Sequence, residues 1–151
     1  MIAETTEVTE KLQQLVEMFQ MFDQSDRTDL LLSYADQFKD VPPSVATRPF
    51  PPSHQIPQCE SDAYVWALKQ ADGTLQLYFA VENPSGVSAK ALATILDKSL
   101  SGLPAADIAT VNTDIVERIF RQNISMGKGM GLMSMVQAVA ALARQSLIPN
   151  P

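Results

Sequence analysis

The stretch Ala63-Tyr64-Val65-Trp66-Ala67-Leu68-Lys69-Gln70-Ala71-Asp72-Gly73-Thr74-Leu75-Gln76-Leu77-Tyr78-Phe79-Ala80-Val81 reads as two strands joined by a turn. Tyr64, Trp66 and Leu68 alternate with Val65, Ala67 and Lys69, and past the turn Leu75, Leu77, Phe79 and Val81 recur at every second position. That is the period of an extended chain with a face to bury. Asp72-Gly73 is a strong short hairpin signal, because glycine enters the left-handed turn conformation without a Cβ clash. Two strands alone are marginal, so a third must pair with them or helices must cover one face. Ile56 and its neighbours are the expected extra strand.

Upstream, Pro42, Pro43, Pro49, Pro51, Pro52 and Pro57 punctuate residues 39–58. Proline fixes φ and removes a backbone donor, so this segment is expected as a loop leading to Cys59, with Val45, Phe50 and Ile56 holding it to the core. Earlier still, Leu12, Leu15, Val16, Phe19 and Phe22 follow Thr9 at helical spacing, and Leu30, Leu31, Tyr34, Ala35 and Phe38 follow Asp26. Two capped amphipathic helices packed as a hairpin are expected, behind a disordered tail at 1–8.

Downstream, Glu82-Asn83-Pro84-Ser85-Gly86 breaks the strand, and Ser88 begins a helix through Leu92, Ile95, Leu96 and Leu100. Pro104 opens a turn over Ala105 to Ala109, and Thr113 caps a short helix from Asp114 to Arg121. Ser125 to Gly131 reads as a flexible entrance to a last helix carrying Leu132, Met135, Val136, Val139, Ala140, Ala143 and Leu147. Helices, hairpin and helices in that order predict an α+β fold, a small antiparallel sheet (63–81 plus the extra strand) packed against several helices. At 151 residues the chain makes one domain, 1–151.

The composition, 46% hydrophobic and 19% charged, is that of a globular fold. A net charge of −6 opposes a broad electrostatic grip on nucleic acid, where Lys and Arg neutralise phosphates. No apolar run approaches the roughly 20 residues that span a bilayer, and Met1 to Glu7 lacks the basic and apolar regions of a secretory signal, so a cytoplasmic address and no membrane are expected. One cysteine makes no internal disulfide, and with one histidine it builds no closed zinc site without carboxylates.

Cys59, at the junction of the proline loop and the first strand, is the one candidate for chemistry. An unpaired cysteine is also among the residue types most often buried as a small hydrophobe, and both readings stand. His54, five positions away, is either a base for Cys59, as in a cysteine hydrolase, or an exposed loop residue. Gly127-Lys128-Gly129 lacks the spacing and the Lys-Ser/Thr ending of a phosphate loop, and follows no strand. Met126, Met130, Met133 and Met135 read first as core filler, with an adaptable groove as the alternative.

These residues together resemble the SufE family of sulfur-acceptor proteins. Ile56-Pro57-Gln58-Cys59-Glu60-Ser61 is similar to the family's V-x-G-C-x-S, with the aromatic strand and the Asp72-Gly73 turn at the family's spacing. Ser125-Met126-Gly127-Lys128-Gly129-Met130-Gly131-Leu132 resembles its S-P-S-R-x-N-G-L, and Lys90-Ala91-Leu92 its x-G-L. The resemblance covers about Leu15 to Leu142. Gln58 stands for the family's glycine, Ala91 for another, Lys128 for its arginine, and Glu82 near its aspartate. What the resemblance implies is a SufE/NifU-like α+β fold and a sulfur shuttle. Cys59 accepts persulfide sulfur, with Glu82 and Lys128 as further site residues. The donor is a pyridoxal-phosphate cysteine desulfurase (SufS/CsdA-like), which the chain stimulates; the recipient is an iron-sulfur scaffold complex (SufBCD-like). The chain itself carries no cofactor. The rival readings are a small acidic protein-binding module with a structural Cys59, and a hydrolase using Cys59 with His54.

Overall fold

Ala3, Glu4 and Glu7 suit a first helical turn, since alanine and glutamate favour helix and carboxylates sit well at a helix N-terminus. In the computed structural model, which describes residues 2–59 and 61–148 without side-chain detail for 2–9 and 122, helix α1 accordingly runs Ile2–Met21. Helix from Ile2 stands where a tail was expected over 2–8, and Thr9 lies inside it rather than capping it. Leu12, Val16 and Phe19, at i, i+4 and i+7, form its buried stripe.

Helix α2 (Gln24–Asp36) is capped by Asp23, not Asp26. Asp23 has extended backbone, and its carboxylate accepts from the Asp26 N–H at 2.8 Å, satisfying a donor the first turn leaves free. The two helices touch through Phe19 and Tyr34, ring centroids 6.1 Å apart, but do not pack along their length as a hairpin. Instead α2 lies on α3 (Val87–Leu100), and α1 on α3 and α5 (Asp114–Phe120). The reason is α3, which is buried almost all round from Ala89 to Leu100 and is the apolar hub that both need. Buried Arg27 ties the junction: its guanidinium donates to the carbonyls of Phe19 and Phe22 at the end of α1 and to Asn123 Oδ1. A cation on the orphan carbonyls of a helix C-terminus is in its favoured place.

Strands β1 (Ala63–Lys69) and β2 (Leu75–Val81) pair antiparallel from Lys69↔Leu75 to Ala63↔Val81. Gln70 N–H donates to Thr74 O, Gly73 N–H to Gln70 O, and Gly73 turns with φ +87°, which a Cβ would oppose. The alternation read from the sequence has both faces covered. Ala63, Val65, Leu75, Leu77, Phe79 and Val81 join the helical core. Tyr64, Trp66, Tyr78 and Ala80 face the other way and are packed by Val41, Val45 and Phe50 of the proline segment. The molecule is thus layered as helices, sheet and proline segment.

The extra strand at Ile56 is reduced to a bridge, Gln55↔Tyr64, with Ile56 N–H donating to Ala63 O at 2.8 Å. Pro52 before it and Pro57 after it withhold the donors a longer ladder needs. A 3₁₀ turn, Pro52–His54, precedes it. Helix α3 begins at Val87, one residue ahead of Ser88. A single helical turn, α4 (Ala105–Ile108), follows Pro104 as expected. Thr113 precedes α5 without a side-chain cap; Asn112 Oδ1 accepts from Asp114 N–H instead. Helix α6 (Met126–Ser146) already includes the stretch expected as a flexible entrance, because Ser125 caps it through the Lys128 N–H. Among the described residues no helix is long and apolar enough to cross a membrane.

Candidate functional site

Two left-handed residues bracket the cysteine: Gln58 at φ +61° and Asp62 at φ +50°. Neither is glycine, so each holds a conformation that costs roughly 1–2 kcal/mol and persists only where its surroundings impose it. Those surroundings are visible. Asp62 N–H donates to Cys59 O (3.2 Å), Glu82 N–H to Asp62 O and Asn83 N–H to Ser61 O (3.1 Å each), so the far side of the loop is laced to the end of β2. On the near side Ile56 is held to Ala63.

Helix α6 closes the third side. A Cβ on Gly131 would stand 2.9 Å from Gln58 O and 3.2 Å from Cys59 Cα, both backbone atoms. Only glycine lets the helix approach the loop this closely. One turn further on, Ser134 Oγ donates to Gln58 Oε1 at 3.5 Å. Gln58, Ser61 and Asp62 are thus held on three sides, while Cys59 is half-buried and in no disulfide.

Cys59 stands between two openings. One is a cavity of about 240 Å³ whose walls include Ser61, Asn83, Gly86, Val87 and Lys128. The other is a broad cleft bounded by Pro52, Gln55, Ile56, Pro57, Gln58 and Cys59. The thiol therefore borders two openings, of which the cleft is the wider.

Of the residues singled out in the sequence, Lys128 shares the cavity with Cys59, at the N-terminal turn of α6. Glu82 does not. Its carboxylate accepts from Arg48 Nε at 2.7 Å, and Arg48 also grips Asp40 through both terminal nitrogens at 2.9 and 3.1 Å. Asp40, then Glu82, raise the Arg48 pKa above its already high value by hydrogen bonding its charged form. Among the described residues Glu82 is hydrogen-bonded to the cysteine loop through its backbone N–H, which donates to Asp62 O. Arg48 was not among the sequence candidates; its one signal is weak, as the only Lys or Arg between Lys39 and Lys69.

His54 is engaged elsewhere. Its Nδ1 donates to Val65 O at 3.0 Å, its ring stacks on Trp66 at 5.3 Å, and it lines neither opening beside Cys59. A Cys59–His54 hydrolase has no geometry to rest on. The methionines divide. Met135 is fully buried as core filler, whereas Met126, Met130 and Met133 are 87%, 50% and 36% exposed, which overturns the filler reading for those three. Among the described residues no three His, Cys, Asp or Glu side chains cluster to hold a metal ion. Among the described residues the arrangement offers a partly exposed thiol with no histidine beside it, which suits exchange between sulfur atoms better than acyl transfer.

A family model described as "SufE: Fe-S metabolism associated domain" matches residues 13–143. No curated protein sequence matches the chain. Among solved structures it is similar to the solution structure of a hypothetical protein from Thermus thermophilus, at 25% identity and a TM-score of 0.71, over 91% of this chain and 96% of that one.

Proposed function

Given that this chain belongs to the SufE family, whose domain is associated with Fe-S metabolism, we propose that it is a sulfur shuttle that works through Cys59. The thiolate of Cys59 attacks the terminal sulfur of a persulfide on a cysteine desulfurase. A new S–S bond forms at Cys59, the donor's S–S bond breaks, and the donor cysteine leaves as a thiolate, so no outside oxidant is needed. Cys59 then carries the persulfide to an iron-sulfur scaffold, where a second exchange releases it. Removing the persulfide also frees the desulfurase for another turnover, which is the sense in which the chain stimulates it. The pyridoxal phosphate belongs to the donor, and the exchange takes place in the cytoplasm.

The observation that carries this reading is the half-buried thiol between a broad cleft and a narrower cavity, on a loop seated against Gly131. The cleft admits a partner's sulfur, and the cavity shields the loaded one from oxidation. Lys128 and the positive end of α6 beside that cavity favour an anionic terminal sulfur. Glu82 holds Arg48 and thereby the proline segment that forms the cleft wall, and touches no reacting atom.

Incubation with a cysteine desulfurase and cysteine should add the mass of one sulfur atom to Cys59. Absence of that adduct, together with Cys59→Ser stimulating the desulfurase as well as the natural protein, overturns the proposal. The rival, an acidic binding module with a structural cysteine, requires Cys59 to resist alkylation until unfolding; its partial exposure weighs against that.

A further inference from the structure

One added sulfur atom fills little of the cavity beside Cys59. Its volume is about 240 Å³, several times the roughly 30 Å³ that a water molecule takes in the liquid. Hydrogen-bond donors make up much of its wall. Lys128 lines it from α6, and the hydroxyl residues Ser61 and Ser88 line it from the cysteine loop and the first turn of α3. Asn83 Oδ1 already accepts from the Ser85 N–H and hydroxyl, which leaves the Asn83 amide its NH₂. Helix α3 starts after Gly86 with no side-chain cap, so among the described residues the N–H groups of Ser88 and Ala89 have no acceptor. Ala89 is 1% exposed and lines the cavity. A buried N–H without a partner is rare, and it marks a place for an acceptor that the fold does not itself provide. Gly86 allows the approach: a Cβ there would stand 2.8 Å from Ser61 Oγ and from Val81 Cγ1.

The chain has 17 Asp and Glu and a net charge of −6, yet among the described residues none that lines this cavity is acidic. A cation, hydroxyls and an unsatisfied buried N–H around one space suit an oxyanion. The thiol on the rim narrows the class further, since a plain oxyanion has no sulfur to give it. We propose that the cavity admits a second, small sulfur donor: an inorganic anion of the thiosulfate type, with a transferable sulfur on an oxyanion head. This rests on the reading of Cys59 as a sulfur acceptor, and extends its donors from a protein persulfide to a small ion. The Cys59 thiolate attacks the outer sulfur of thiosulfate. An S–S bond forms at Cys59, the S–S bond inside thiosulfate breaks, and sulfite leaves with the bonding electrons. Total charge is the same on both sides, and neither an oxidant nor a proton is required. Lys128, the Ser61 and Ser88 hydroxyls and the Ala89 N–H hold the oxygens of the head and take up the charge that gathers on the departing sulfite. The sulfur left on Cys59 then lies on the cavity side of the thiol.

The test incubates the full chain with thiosulfate and no desulfurase, and in parallel with a cysteine desulfurase plus cysteine. Intact mass reads the sulfur atom added at Cys59, and sulfite is assayed in the thiosulfate arm. The natural chain should gain one sulfur and release an equal amount of sulfite, with saturation as thiosulfate rises. Lys128→Gln should raise the half-saturating thiosulfate concentration about tenfold, the loss of one charge-assisted hydrogen bond, and Lys128→Arg should restore most of it. Ser88→Ala should raise it measurably, and serves alone should Lys128→Gln fold poorly. No loading by thiosulfate, where the desulfurase loads Cys59, overturns the inference and leaves the shuttle reading standing. Loading that does not saturate, or that these variants leave unchanged, places the reaction at the open cleft and also overturns the inference. Loading by neither source overturns the shuttle reading and the inference together. Saturable, Lys128-dependent loading by thiosulfate without loading by the desulfurase overturns the protein donor and upholds the small one.

Discussion

At position 58 the backbone turns left-handed, φ +61°, immediately before the cysteine, and a glutamine occupies the turn. The related motif has glycine at this place, and the dihedral supplies the reason: glycine has no Cβ to clash there. Gln58 offsets part of its strain through the Ser134 hydroxyl. Gln58→Gly should raise stability by about 1 kcal/mol, the relief of left-handed strain less the added freedom of the unfolded chain. Urea denaturation with an unchanged m-value would show it; a loss of stability would mean that the Ser134 contact outweighs the strain. Residue identity at 58 was legible as a departure from the motif. The strain was not, since no sequence pattern reports a single φ.

Among the elements, α6 decides most about the site. Its buried positions Leu132, Met135, Val136, Val139, Ala140 and Ala143 follow helical spacing and were legible in the sequence. Its first turns, with three glycines, were read as flexible because glycine costs about 1 kcal/mol per helical position relative to alanine. The fold uses one of those glycines for contact. By propensity alone, Gly131→Ala should stabilise α6; by packing, its Cβ meets the Gln58 carbonyl and must push the loop aside. Packing should win, with a net loss of about 1–3 kcal/mol by thermal or urea denaturation and a faster alkylation of Cys59 as the loop lifts. A stabilised variant with unchanged thiol reactivity would mean the loop yields freely. The exposed methionines were misread for a related reason: periodicity says which residues share a face, and only packing says which face is covered.

On the scale of the whole molecule, the proline segment is a third layer, fastened by Phe50 against Tyr64 and Trp66 and by Arg48 across Asp40 and Glu82. Those ion pairs are partly exposed, so they contribute little to global stability, at most about 1 kcal/mol. Their effect is local. Arg48→Ala should leave the melting temperature nearly unchanged while hydrogen exchange and protease cleavage within 39–58 accelerate, and added salt should move the natural chain the same way. No change in local exchange would show that the aromatic contacts alone hold the segment.

From the sequence alone came the hairpin, the α+β class, the helical core positions, and the single thiol as the candidate for chemistry. Each is a property of neighbours along the chain: a period of two, a period near four, a glycine after an aspartate. The tertiary structure alone decided that the sheet is covered on both faces, that Glu82 serves Arg48 while Lys128 lines a cavity with Cys59, and that Gly131 must have no side chain. These are contacts between positions 34 and 76 residues apart in pairs such as Arg48–Glu82 and Gln58–Ser134. Local pattern limits what each segment forms, but which distant atoms then meet is set by how the segments bury one another.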